Sequence, residues 1–297
     1  MAEARLRVVQ LNAGSLLEPG WDERRHAVVA WLEHLRPDVV CLQEVWRDGR
    51  GTDTAGWIVE AMPEAGWHWC FGGAAFHPDL WPDPSLEFGS AILSRWPIEA
   101  HAYHRLPTAA AGDDAFVNRV PWELLHARTA GVDVFSTHLA AAPQDGVHRV
   151  RQVLAIDEIV RRVRGDLDDL AGVGHQREAM PPILCGDFNA EPDSDEIRFL
   201  CSLTSLEGRT TYWQDAWRVA GDGPGFTSDW RENPLAAAIN VPRKRIDYVF
   251  VGDPFMRRGG AGRVLSAELA FDASLTGVPA SDHLGLVVDV AWPQRPG

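Results

Sequence analysis

Short apolar runs recur along the 297-residue chain, and each is bounded by residues that favour turns. The runs are three to seven residues long and contain many Val and Ile residues, which favours strands over helices. The predicted strands cover residues 6–11, 38–42, 90–93, 132–136, 183–185, 246–251 and 284–290. The pattern therefore predicts a protein built largely from short buried strands.

Three segments instead carry apolar residues at helical spacing. The first, residues 28–35, places its apolar side chains on one face and ends before Pro37. The second, residues 153–163, has arginines opposite its apolar face. The third begins with Asp193 or Ser194 as N-cap and has acidic residues in its first turn, where the helix dipole favours them.

Two stretches are predicted to contain loops. Residues 161–182 mix charges, glycines and prolines, which predicts a helix end followed by a surface loop, and residues 221–243 are rich in Gly, Pro and Asn, which predicts a long loop. Neither resembles an interdomain linker, and the chain has no internal repeat. We therefore expect a single domain over residues 1–297.

Polar residues cluster at the ends of the predicted strands. Asn12, Glu44, His138, Asp187 and Asn189 follow strands, whereas Asp247, Asp282 and His283 precede or begin them. In an all-parallel sheet, functional groups gather at the C-terminal strand ends, whereas antiparallel neighbours place one strand's start beside the other's end. A mixed or antiparallel architecture would therefore bring all of these groups to one edge.

Each polar residue also has an ordinary structural interpretation. A single Glu or His after a strand commonly serves as a cap or a satisfied hydrogen-bonding group. Asp187 with Asn189 is a favoured pair for an Asx turn, and Asp282 with His283 is compatible with turn chemistry as well. The case for a site therefore depends on the joint pattern.

Charge and composition limit the classes of binding partner and the cellular compartment to expect. The net charge is −14 and the pI is near 5.2, which disfavours non-specific binding to nucleic acid but leaves a local basic groove open. The four cysteines form no Cys-x-x-Cys pair, which suits a reducing compartment. There is no secretory signal and no apolar run of the ~20 residues that a transmembrane helix needs, so we expect a cytoplasmic protein without a transmembrane segment.

The motifs, taken in chain order, resemble the endonuclease/exonuclease/phosphatase superfamily. They are LNAG at Asn12, CLQEVW at Glu44, STHLA at His138, CGDFNAEPDS at Asp187, RIDYVFV at Asp247 and SDHLGLVVDV at Asp282. The resemblance implies an α+β fold: a four-layer αββα sandwich with two packed, mixed, mainly antiparallel sheets. It also implies an enzyme, a Mg²⁺-dependent hydrolase acting on phosphoester bonds.

The resemblance assigns roles to the strand-end residues. Glu44 is expected to be the main ligand of Mg²⁺, with Mn²⁺ as an alternative metal, and Asn12 and Asp282 are expected to complete the ligand set. Asp187 is expected to activate the attacking water. The other implied catalytic residues are Asn189, His283, Asp247 and His138.

One position departs from the superfamily pattern. Some nuclease members carry an acidic residue two places after the first Asn, where this chain has Gly14. The departure puts in doubt a further metal ligand and a close similarity to the abasic-site enzymes.

The substrate is less well defined than the reaction. Trp81 belongs to an aromatic segment, residues 67–88, that is either a substrate rim or ordinary packing. Arg119 and Arg245 are candidate substrate contacts, although a solvated turn is an equal alternative for the run 243–245. Arg149 is interpreted as structural support.

The leading hypothesis is a phosphodiesterase that hydrolyses a soluble or lipid-derived phosphate ester by in-line attack of activated water. A DNA or RNA nuclease of the same fold is the first alternative. A non-catalytic binding module on this scaffold is the second, and no protein partner is implied.

Overall fold

The computed structural model describes residues 4–48, 50, 51, 53–64, 66–109, 115–164, 180–238, 242–252, 255, 257–293 and 295. Two six-stranded sheets dominate it. The first sheet contains β1 (Arg5–Asn12), β2 (Val39–Asp48), β3 (His68–Ala75), β4 (Leu86–Ser94), β11 (Val264–Ala270) and β12 (Gly285–Ala291). The second contains β5 (Ile98–Arg105), β6 (Glu123–Thr129), β7 (Val132–His138), β8 (Ile183–Asp187), β9 (Trp213–Asp215) and β10 (Asp247–Gly252).

Both sheets are mixed and mainly antiparallel. The strand orders are β11-β12-β1-β2-β4-β3 and β5-β6-β7-β8-β10-β9. Among the described strands, β1 with β2 and β7 with β8 are the parallel pairs, one in each sheet. The predicted α+β sandwich is therefore confirmed, and each sheet has the combination of strand directions that the positions of the polar residues required.

Seven α-helices accompany the sheets in the described part of the chain. They are α1 (Trp21–Leu35), α2 (Thr54–Ala61), α3 (Phe116–Arg119), α4 (Gly146–Arg164), α5 (Asp195–Leu200), α6 (Ala216–Ala220) and α7 (Pro234–Ala238). Helices α1 and α2 pack on the first sheet, and α4 and α5 pack on the second. The three predicted helices correspond to α1, α4 and α5, the last with Ser194 at its N-cap.

Alternation along the strands builds three separate cores. Val8 of β1 faces the other sheet, whereas Val9 faces α1, because successive strand residues point to opposite faces. Cys41 and Cys185 lie in the core between the sheets, and both are free thiols. Burial on both faces explains why the central strands read as continuous apolar runs rather than as alternating patterns.

The loop prediction for residues 221–243 was partly wrong, because this stretch contains α7, a short helix that begins at Pro234 as proline favours. The first residues of 161–182 complete α4, in agreement with the helix end predicted there. Residues 165–179, in the surface loop predicted to follow that helix end, lie outside the described part of the chain. Within the described residues, no helix combines the length and apolarity needed to cross a membrane.

Candidate active site

The register of the second sheet places three predicted site residues side by side. His138, at the end of β7, is opposite Asp187, at the end of the parallel strand β8. Asp187 is also opposite Asp247, at the start of the antiparallel strand β10. The strand ends therefore meet at one edge because one neighbour of β8 is parallel and the other is antiparallel.

The first sheet contributes Asn12 and Glu44 to the same edge. The Asn12 amide Nδ2 donates to Glu44 Oε1 and to Asp187 Oδ2, both at 3.0 Å, and so connects the two sheets. Glu44 lies where the pairing of β2 with β4 shifts register, and its φ of 54° is in the left-handed region. A non-glycine residue in this conformation costs about 1–3 kcal/mol, so the local fold must hold the Glu44 side chain in place.

His283 and Asp247 form a buried pair. The imidazole Nδ1 of His283 is 2.8 Å from Asp247 Oδ2, and its Nε2 lies 3.9 Å from Asp187 Oδ2 and 3.8 Å from Asp282 Oδ2. Burial lowers the pKa of His283, but the charges of Asp247 and Asp282 outweigh it and raise the pKa well above its usual value. This shift favours the positively charged form of the His283 imidazole.

His138 has the opposite electrostatic character. Its Nε2 lies 3.7 Å from Asp187 Oδ2 and 3.8 Å from Glu44 Oε1, and its ring packs nearly perpendicular to that of Trp122. Burial lowers the pKa of His138, although Asp187 partly opposes the shift. The two imidazoles beside Asp187 therefore favour different protonation states.

The two carboxylate oxygens of Asp187 have different surroundings: one is held by a turn and the other faces the rest of the site. Its Oδ1 accepts a 2.8 Å hydrogen bond from the backbone N–H of Asn189, which has a φ of 48°. This is the Asx turn considered above, and the Asn189 side chain donates to Leu139 O at 3.0 Å. Asp187 Oδ2 faces Asn12, His138 and His283. The turn thus fixes the direction of the second oxygen.

Carboxylates outnumber imidazoles in this cluster. We use "the cluster" for Asn12, Glu44, His138, Asp187, Asn189, Asp247, Asp282 and His283. Burial, together with the negative charge of Asp282, raises the pKa of Glu44 to about 8. Several buried acids with mutually unfavourable charges form the kind of environment that a bound cation stabilises.

A line of buried amides beneath the cluster was not predicted. Gln10 Nε2 donates to Asp247 Oδ1 at 3.0 Å and to Gln43 Oε1 at 2.6 Å, and Gln43 Nε2 donates to Ser136 Oγ at 2.9 Å. These contacts connect the two sheets and orient Asp247. The available signal was a glutamine inside each of two apolar strands, where an unpaired polar group would be costly.

Arg24 holds the loop that follows β1. Its guanidinium donates to six backbone carbonyls, five within residues 13–19 and one at Ala280. Gly14, in this loop, has a φ of 50°, and its N–H donates to Asn12 Oδ1 at 3.0 Å. A Cβ on Gly14 would lie 2.7 Å from Asp282 Oδ1, so the absence of a side chain there has a steric reason.

An apolar cavity of about 310 Å³ opens beside the cluster. Glu44 and His138 form part of its wall, and Trp81 is among the other lining residues. Phe76 and Phe88 of the predicted aromatic segment also line it, whereas Trp67 and Phe71 are buried in the core between the first sheet and its helices. The packing interpretation is therefore confirmed for Trp67 and Phe71, whereas a substrate rim stays a prediction for the residues that line the cavity.

The two candidate substrate arginines each form an ion pair with a carboxylate that does not belong to the cluster, Arg119 with Asp79 and Arg245 with Asp215. Arg245 is buried, and its Nη2 is 2.8 Å from Asp215 Oδ2, which replaces the interpretation of this residue as a solvated turn or phosphate contact with a structural ion pair. Arg119 lines a second cavity of about 640 Å³ together with Arg105. Arg149 binds Glu196 and nearby backbone carbonyls and so supports the chain that follows β7.

Comparisons with solved structures identify the same fold. The human Nocturnin catalytic domain with bound sulfate is 22% identical with a TM-score of 0.65, covering 96% of this chain and 93% of the other. TDP2 of D. rerio, complexed with a single-strand DNA product, is 17% identical with a TM-score of 0.67, covering 97% and 99%. At these identities the likeness concerns the fold alone.

Sequence comparisons give a family. Protein angel homolog 2 of Bos taurus is 26% identical over 196 residues, which cover 65% of this chain and 32% of the relative. The match thus spans about a third of the length of these curated relatives. The model described as the Endonuclease/Exonuclease/phosphatase family matches residues 9–283, which include every residue of the cluster. The chain belongs to the Endonuclease/Exonuclease/phosphatase family.

Proposed function

We propose that this protein is a metal-dependent phosphodiesterase that attacks its substrate with a water molecule activated by Asp187. The observation that carries the proposal is the position of Asp187 Oδ2, which faces the Asn12 amide and the Nε2 atoms of His138 and His283. An oriented carboxylate between two imidazoles of different charge suits general-base attack on a phosphoester.

The oxygen-rich side of the cluster fits a hard divalent cation. We assign Glu44, Asn12 and Asp282 to Mg²⁺, with Mn²⁺ as an alternative, because carboxylate and amide oxygens are the ligands that such ions prefer. When bound, the ion would supply charge neutralisation at the phosphoryl and leaving oxygens. Burial and the charge of Asp282 raise the pKa of Glu44, and a bound cation would oppose this shift by favouring the ionised carboxylate.

Asp187, Asp247 and His283 also offer ligand atoms that lie within 4.8 Å of one another. We assign them to proton and phosphate chemistry instead, because Asp247 already accepts the 2.8 Å hydrogen bond from His283 Nδ1. A metal on His283 Nε2 would also compete with the proton that makes this imidazole a cation.

The histidines would act on the phosphoryl group. Charged His283 would stabilise negative charge on a phosphoryl oxygen, and Asp247 would fix its tautomer and orientation. Neutral His138 would donate a hydrogen bond to another phosphoryl oxygen as charge develops. Asn189 would maintain the Asx turn that orients Asp187, because its N–H holds Asp187 Oδ1.

The substrate we favour is a soluble or lipid-derived phosphodiester. A nuclease is the second candidate, since the TDP2 relative was solved with a single-strand DNA product. The net charge of −14 argues against a protein that grips nucleic acid through its phosphates. A non-catalytic binding module ranks last because the cluster retains every residue the mechanism uses.

The test is hydrolysis of bis(4-nitrophenyl) phosphate with Mg²⁺ or EDTA. We expect turnover with Mg²⁺, loss of turnover with EDTA, and a ~10²–10⁴-fold lower kcat in Asp187→Asn. Asp193→Asn, which changes an exposed carboxylate beyond the same turn, is the matched control and should retain activity. Metal-independent turnover, or activity of Asp187→Asn within threefold of wild type, would contradict the proposal.

A further inference from the structure

We infer that the 310 Å³ cavity binds an uncharged hydrocarbon ester group of the substrate. The inference rests on the proposed phosphodiesterase activity and specifies its substrate class. The phosphoester would lie on the cluster, and one of its two ester groups would enter the cavity. The substrate would then be a phosphodiester with an alkyl or acyl chain near its phosphorus.

The cavity shares walls with the cluster, and this indicates which molecule would fill it. Glu44 and His138 both line the cavity. His138 also faces Asp187, and Glu44 accepts a hydrogen bond from the Asn12 amide. A group in this cavity therefore lies beside the position assigned to the phosphate. Such a group is most simply part of the same molecule, since the two sites share walls.

Among the residues that the structure describes, few polar groups line the cavity. Apart from Glu44 and His138, the described lining residues have aliphatic or aromatic side chains, among them Leu17, Leu80 and Phe116. The indole N–H of Trp122 already donates to Val117 O at 2.7 Å. A nucleobase could stack here but would find few partners for its edge, and leaving buried polar atoms unpaired is unfavourable.

Large apolar side chains also stand in solvent around this cavity. Phe116 is 62% exposed, Leu17 is 45% exposed and Trp81 is 36% exposed. A contiguous group of exposed apolar side chains is typical of a ligand-binding groove or an interaction site. A hydrocarbon chain would cover them, and the removal of this surface from water would favour binding.

The back of the cavity is a packed aromatic group. Trp46 is fully buried and lies 5.6 Å from Phe76, 5.2 Å from Trp81 and 5.1 Å from Phe88, measured between ring centroids. These contacts fix the walls before any ligand arrives. A preformed cavity of this volume lies at the lower end of the ~300–1,000 Å³ typical of small-molecule sites.

The test uses 4-nitrophenyl phosphodiesters whose second ester group is methyl, butyl or octyl, with the 4-nitrophenyl ester of thymidine 5′-phosphate as the nucleotide probe. With Mg²⁺ present, we expect kcat/KM to rise about fourfold per buried methylene until the cavity is full. The octyl ester should therefore exceed both the methyl ester and the nucleotide. Equal rates for all alkyl esters, or a preference for the nucleotide, would overturn the inference.

Two variants address the cavity from opposite directions. Phe116→Ala removes an exposed wall and should lower the octyl-to-methyl ratio of kcat/KM at least fivefold. Ala141→Phe adds volume at an exposed lining position and should lower it at least tenfold by excluding the chain. Tyr212→Ala, another exposed aromatic that does not line the cavity, should leave the ratio within twofold of wild type.

The outcomes separate the two proposals. Metal-dependent turnover of every ester with an unchanged octyl-to-methyl ratio in both cavity variants would overturn the hydrocarbon inference and leave the phosphodiesterase proposal standing. No metal-dependent turnover of any ester would overturn both.

Discussion

The cluster and the apolar cavity lie next to each other, share Glu44 and His138, and are built in contrasting ways. The cluster residues lie at strand ends and in the adjoining turns, where backbone register and hydrogen bonds set their positions. The cavity draws on segments that are distant in sequence, among them α3, the loop around Trp81 and the loop after β1. The contrast teaches that the chemistry depends on the sheets, whereas substrate selection depends on loops attached to them.

The largest effect should come from breaking the cluster alone. In His283→Ala, the cation beside Asp187 is lost, and kcat for the aryl and alkyl diesters should fall by ~10²–10⁴. The octyl-to-methyl ratio should remain that of wild type, because His283 does not line the cavity. Steady-state kinetics on the methyl and octyl esters measure both quantities, and a changed ratio would show that the two regions are not separable.

A smaller effect should follow when His283 keeps its place but loses its partner charge. Asp247→Asn should lower kcat by ~10–100-fold, as loss of an orienting carboxylate typically does. In wild type, the raised pKa of His283 keeps it protonated, and activity should fall as pH rises through that pKa. Without the Asp247 charge, the fall should move to lower pH. A pH–kcat profile with an unmoved alkaline limb would contradict this role.

The smallest effect concerns Glu123, a buried carboxylate that is opposite His138 in the strand register. Burial raises its pKa from 4.5 to about 8, although the hydrogen bond from Ser90 Oγ opposes the shift. A carboxyl whose pKa is raised on folding stabilises the folded state below its unfolded pKa and loses that contribution as pH rises.

Between pH 4.5 and about pH 8, the unfolded and folded pKa values of Glu123, wild type should therefore lose ~1.4 kcal/mol of unfolding free energy per pH unit relative to Glu123→Gln. Urea unfolding of both proteins at pH 5 and pH 7.5 measures the difference. Parallel stability curves would mean that Glu123 does not titrate in this window. The octyl-to-methyl ratio should stay within threefold of wild type, since Glu123 does not line the cavity.

Much of the cluster was predictable because its residues are tied to strands. Asn12, His138 and Asp187 each close an apolar run, and a strand end has a defined location once the sheet order is known. The placement of Val8 and Val9 on opposite faces of β1 also follows from the strand period. These features are local in sequence, and single-sequence patterns carry local information well.

The remaining features depend on contacts between distant segments. Arg245 looked like part of a basic run, and only the fold places Asp215 beside it. Glu123 sits in an apolar strand, and its raised pKa depends on burial that no local pattern reports. The short helix α7 forms within a segment rich in Gly, Pro and Asn, where composition favoured a loop.

The close approach of Gly14 to Asp282 has a consequence for how this site could change over evolutionary time. An acidic side chain at position 14 would have to adopt a left-handed backbone with a φ of 50°, and its Cβ would lie 2.7 Å from Asp282 Oδ1, which accepts a 3.1 Å hydrogen bond from the Ser281 hydroxyl. The Asp282 carboxylate would then have to turn aside and leave the hydrogen bond from Ser281. A further carboxylate at position 14 would therefore displace one that is already present, so positions 14 and 282 are coupled although most of the chain separates them.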